Sequence, residues 1–172
     1  MTHPSSTPDT RHRVVREGFI AGILGATTVA AWFLFVDLVG GQPLRTPSVL
    51  GASLMNALGW EPFLGTFGTV LFYTVFHYAA FVGIGILAVV GVHASLAEAS
   101  LLVGLLILFV AFQVGFYVFI YLLDLSLLGT IAWTQIGIAN VLASVVMGRF
   151  LWRGHPRLHG RVAEGLSGRG TT

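Results

Sequence analysis

Apolar residues fill four long runs of the chain, at about 18–39, 66–91, 100–123 and 130–152, separated by polar or Gly/Pro-rich breaks. Each run is long enough to cross the roughly 30 Å hydrocarbon core of a bilayer as a helix, which takes about 20 residues. None alternates with the period of two that a barrel strand needs, and a helix pairs every backbone polar group within itself. The pattern therefore predicts an all-α fold, an integral membrane four-helix bundle. It divides the chain into a flexible tail at 1–16, a four-span membrane domain at 17–153 and a flexible basic tail at 154–172.

The break after the first run, GGQPLRTPSVLGASLMNALGWEPFLG, carries a helix signal of its own. Thr46 can cap, Pro47 suits a first helical position and Gly59 can terminate, which leaves a helix at about 47–58, too short to span. Leu50, Leu54 and Leu58 share one face, and Trp60 and Phe63 follow. The segment reads as an amphipathic helix in the outer loop, lying at the interface with its aromatics at headgroup depth, or as a lid over a cavity.

Small residues recur every four positions in the first run, at Gly18, Gly22, Ala26 and Ala30. That spacing allows a neighbouring backbone to approach closely, and the neighbour is either another helix of this chain or a second copy. WFLFVDL at 32–38 and FIYLLDL at 119–125 echo one another, but only Asp-Leu is identical at matching places, and chance accounts for it. Asp37 and Asp124 then read as ordinary helix-end charges within reach of water.

Charge orients the runs. Only 9% of the 172 residues are charged, and all nine basic side chains are arginines. Arg11, Arg13 and Arg16 precede the first run, five arginines close or follow the last, and the loops hold only Arg45. The excess of arginine on the cytoplasmic side of membrane proteins places both termini there, in the plasma (inner) membrane, and an even number of spans agrees. The first run is too long for the apolar core of a signal peptide, about 7–15 residues, and is expected to be retained. The basic tails suit anionic lipid headgroups, and no nucleic-acid partner is expected. The expected partners are the bilayer itself and a second copy or a larger membrane complex.

Counting about 1.5 Å per residue from each run's end puts His77, Gln113 and Asn140 in one layer near the bilayer midplane. Thr69, Tyr73 and His77 make one polar stripe, and Gln113, Tyr117, Tyr121 and Asp124 another, both running outward from the midplane. The inner halves hold almost nothing polar beyond Ser144, so a single chain offers half a path for an ion. Four roles for His77 follow. It can be a neutral imidazole bonded to Gln113, Asn140 or a backbone carbonyl. It can ligate haem, although it is the one histidine inside a run and a second axial ligand would have to come from elsewhere. It can hold a quinone-like or other small apolar ligand with Tyr73, Gln113, Tyr117 and Asn140, Trp32 or Trp133 serving as wall. Last, it can carry protons.

Enzyme signatures are missing. The sequence has no H-E-x-x-H, no G-x-S-x-G, no Gly-rich phosphate loop and no cysteine. Proline between His155 and His159 disfavours a helical metal clip. The expectation is a non-enzymatic accessory, assembly or binding subunit with no cofactor and no metal. A carrier, or a haem-, quinone- or solute-binding protein centred on His77, is the alternative.

Overall fold

The computed structural model describes residues 8–95, Val118 and 129–154. The third apolar run lies outside them apart from Val118, as do Gln113, Tyr117 and both chain ends. Among the described residues the chain is all helical: α1 (Pro8–Val39), α2 (Arg45–Ala57), α3 (Gly65–Ser95) and α4 (Gly129–Gly154). Within them, His12–Val39, Gly65–Val92 and Trp133–Gly154 are long and apolar enough to cross a membrane.

Local chemistry explains where the helices start and stop. Proline at the first position of α1 has no N–H to leave unpaired. The helix begins well upstream of its apolar run, and Arg13 Nε meets Glu17 Oε1 at 3.0 Å one turn on. It ends at Gly40 and Gly41. Gly41 adopts φ +69°, and Gly40 and Gln42 donate back to the Val36 and Asp37 carbonyls at 2.9 Å each. Gly59, at φ +74°, closes α2 in the same manner.

α1 is the central helix, packed against both α3 and α4, while α2 lies on α3. Along α1, Gly18 abuts Ile86, Gly22 abuts Phe81 and Val82, and the Ala26 carbonyl meets His77, so α3 runs antiparallel to it. Gly25 abuts Met147, and Val29 packs with Ala139 and Ala143, so α4 also runs antiparallel to α1. Consequently α3 and α4 are parallel.

Among the described residues, two apolar clusters form the core. Ala21, Val89, Val92, Met147 and Leu151 fill the end where α1 begins. Val29, Ala139 and Ala143 sit farther along α1, flanked by Trp32, Phe33 and Phe81. Large apolar side chains also cover the outside, including Phe35, Phe67, Val75, Leu87, Val141 and Val145.

Candidate functional site

Among the described residues, α3 supplies a row of polar and aromatic groups that helical spacing brings together. On α3, Thr69, Tyr73, His77 and Phe81 follow at four-residue intervals, so their side chains stack along one face. His77 is buried. Tyr73 stacks on its ring with centroids 5.5 Å apart, Phe81 covers it at 4.8 Å, and Tyr78 meets it edge-on at 5.9 Å. His77 Nε2 lies 3.1 Å from the Ala26 carbonyl oxygen. A carbonyl only accepts, so Nε2 carries the proton. One turn of polar contacts thus crosses from α3 to α1, joined by Thr27 and Tyr78, whose hydroxyls are 3.1 Å apart.

Ala26 can present its carbonyl because the helices are close. A Cβ on Gly18 or Gly22 would stand 2.5 Å from the Ile86 or Val82 Cα, and one on Gly85 would meet the Gly18 carbonyl oxygen. Gly18, Gly22 and Ala26 all face neighbouring helices, whereas Ala30 is exposed. At 3.6 residues per turn, three four-residue steps rotate roughly 120° around the helix, which carries Ala30 off the seam. Asn140 is half-buried on α4, and its backbone carbonyl accepts the Ser144 hydroxyl at 2.7 Å. Gln113 and Tyr117, the other candidates of this layer, lie outside the described residues.

At the far end of α1 a second polar cluster ties α2 down. Asp37 is 6% exposed, not the water-facing helix-end charge its position suggests. Its Oδ2 accepts the Thr46 backbone N–H at 2.8 Å and its Oδ1 the Thr46 hydroxyl at 2.7 Å. Leu44, the residue before α2, is in the left-handed conformation at φ 66° and offers no side-chain acceptor. The carboxylate on α1 does what a capping serine would have done, and its charge faces the positive end of α2. Thr46 is therefore held by Asp37 and does not itself cap. The buried face of α2 is Thr46, Leu50, Gly51, Leu54 and Met55. Gly51 is pressed on the Thr69 carbonyl, and Ser48 Oγ lies 3.2 Å from Thr69 Oγ1. Leu58, placed by its spacing on the Leu50 and Leu54 face, is exposed.

Two open hollows lie along α1 and α4. One, of about 490 Å³, is lined by Leu24, Thr27, Thr28, Ala31, Trp32 and Leu142. The other, of about 220 Å³, is lined by Trp32, Phe35, Val36, Val39, Gln135 and Ile138. Trp32 is common to both. Trp32 Nε1 and Gln135 Oε1 are themselves buried and have no hydrogen-bond partner among the described residues. Gln135 is visible in the sequence as an amide inside an apolar run, but its lining the same hollow as Trp32 depends on how α1 and α4 are rotated. Among the described residues, no group of three or more His, Asp or Glu side chains converges on a metal-sized site. No family model, curated protein or solved structure matches the chain.

Proposed function

We propose that this chain is a polytopic protein of the plasma (inner) membrane, with four spans and both termini cytoplasmic, serving as a non-enzymatic accessory, assembly or binding subunit. Three long apolar helices with apolar side chains on their outer faces support residence in a bilayer. The parallel course of α3 and α4 supports a fourth crossing, for which 100–123 is the one remaining apolar run. Antiparallel packing also gathers Arg13, Arg16, Arg149 and Arg153 at one end of the bundle and leaves Arg45 at the other, the asymmetry expected of a cytoplasmic face.

The observation that carries the non-enzymatic part is the engagement of His77. Its Nε2–H joins α3 to the α1 backbone between stacked aromatic rings, as a group fastening two helices would. Topology is tested by labelling single cysteines placed by Ser53→Cys and Ser167→Cys in this cysteine-free chain. They are expected to react from opposite sides of sealed vesicles, and reaction from the same side rejects the four-span arrangement. The role of His77 is tested on the purified protein by its visible spectrum. No Soret band is expected, and one that disappears in His77→Leu would replace this reading with a haem protein.

A further inference from the structure

The side of the α1–α4 seam that carries the two hollows continues, toward the end where α1 begins, into arginines. On α4, Ile138, Leu142, Arg149 and Arg153 follow at intervals of four, seven and four residues, so they share one stripe. On α1, Arg13, Glu17, Leu24, Ala31 and Phe35 share another by the same steps of four and seven. Leu24, Ala31, Phe35, Ile138 and Leu142 line the hollows, which puts both stripes on one side of the seam. Because Gly25 abuts Met147 and the helices are antiparallel, Arg149 stands level with Ile23 and Arg153 with Phe19. Arginine therefore begins where the larger hollow ends.

Charge decides what this surface faces. Arg149 and Arg153 are exposed, and neither meets a carboxylate among the described residues. Glu17, the acidic group on the same side, has its Oε1 3.0 Å from Arg13 Nε, so the side keeps a net positive charge. Orientation in a membrane asks only that arginines gather at this end. It does not ask that two of them continue the stripe that lines an apolar hollow. The hollow itself asks for nothing polar: the Thr28 hydroxyl goes to the Leu24 carbonyl at 2.8 Å, and the Thr27 hydroxyl pairs with Tyr78. Trp32, which lines both hollows, lies nine residues beyond Ile23 and thirteen beyond Phe19. That rise of roughly 14–20 Å is about one leaflet of a roughly 30 Å hydrocarbon core.

We propose that the seam binds an anionic glycerophospholipid of the cytoplasmic leaflet, its phosphate held by Arg149 and Arg153 and one acyl chain laid over Leu24, Ala31 and Leu142 as far as Trp32. The planar fork of arginine suits a phosphate, to which it donates paired hydrogen bonds. A second copy of this chain in the same orientation would bring like-charged arginines to the same end. The proposal rests on the membrane reading, which supplies the leaflet.

The test reconstitutes the full chain in dioleoylphosphatidylcholine vesicles containing a minor fraction of brominated-chain lipid, with either a phosphatidylglycerol or a phosphatidylcholine headgroup. Bromine quenches tryptophan fluorescence on contact, and the Trp32 contribution is the difference from Trp32→Phe. The anionic lipid is expected to quench Trp32 at a roughly ten-fold lower mole fraction than the zwitterionic one. Arg149→Gln and Arg153→Gln should each remove most of that preference, and Arg149→Lys, which keeps the charge, should retain most of it. Arg16→Gln takes one charge from the same end, on a side chain turned about 100° from Glu17, and should leave the preference unchanged. Equal quenching by the two headgroups, a preference surviving both glutamine variants, or an equal loss in Arg16→Gln overturns the proposal. So does an unquenched Trp32 with either lipid, the result expected if a second copy covers the seam. Alkaline extraction of native membranes tests the membrane reading by itself, so a failure of lipid selection is told apart from a failure of that reading.

Discussion

Each buried polar residue described here has a definite consequence when removed. His77→Leu deletes one interhelical hydrogen bond and leaves the Ala26 carbonyl its own intrahelical partner. Such bonds contribute about 0.6 kcal/mol on average between membrane helices and up to about 2, so Tm should fall by about 1–8 °C. His77→Gln, which can still donate, should recover part of that. A collapse of the whole fold in His77→Leu would mean the ring does more than join two helices. Asp37→Ala leaves the Thr46 N–H without its acceptor and is expected to cost about 1–3 kcal/mol. Hydrogen exchange locates the effect: the first-turn amides of α2 should lose protection while those of α1 and α3 keep theirs. Unchanged exchange in α2 would remove Asp37 from its capping role. That the sequence holds polar residues inside apolar runs is plain on inspection, but their partners are not. The Ala26 carbonyl belongs to the backbone, which has no signature in residue type. Asp37 meets Thr46 only because a Gly40–Gly41 turn folds the chain back at a particular angle.

Helix crossings depend on glycines at single places. Adding a methyl at Gly85 would drive it into the Gly18 backbone, whereas Gly83, two residues away, has open space around its Cβ position. Gly85→Ala should therefore destabilise by about 1–3 kcal/mol as α1 and α3 are forced apart. Gly83→Ala should be neutral or stabilise by about 0.5–1 kcal/mol through helix propensity. Thermal denaturation of the pair in one detergent checks this, and equal effects would mean the helices are not in backbone contact. Gly51→Ala is the matching experiment for α2, where the methyl would meet the Thr69 carbonyl; loss of protection confined to α2 is expected. Existence and apolar character of α1, α3 and α4 were legible in advance, because run length and hydropathy are local properties. So was a short helix near 47–58. The four-residue repeat of small residues also stood out, yet where it leaves the seam depends on the helical rotation that turns Ala30 outward.

For the whole molecule, direction is the controlling property. With α3 and α4 parallel, the proposed fourth span at 100–123 is what returns the chain to the side from which α4 starts. Removing residues 98–126 would leave α4 to continue from α3 in the opposite sense and so undo the packing of Val29 with Ala139 and Ala143. In sealed vesicles the Ser167→Cys label should then react from the same side as Ser53→Cys, and labels that stay on opposite sides would show that this stretch makes no crossing. The same geometry sets an order of events during synthesis. Both partners of the glycine contact, Gly18 with Gly22 and Gly85, have been translated once the ribosome passes Ser95, whereas Ala139, Ala143 and Met147 are added only afterwards. The newborn chain thus passes through a stage in which Gly25 and Val29 have met Phe81 of α3 but still lack their neighbours on α4, and that is the interval in which a chaperone, a lipid or a neighbouring nascent chain competes with α4 for its place.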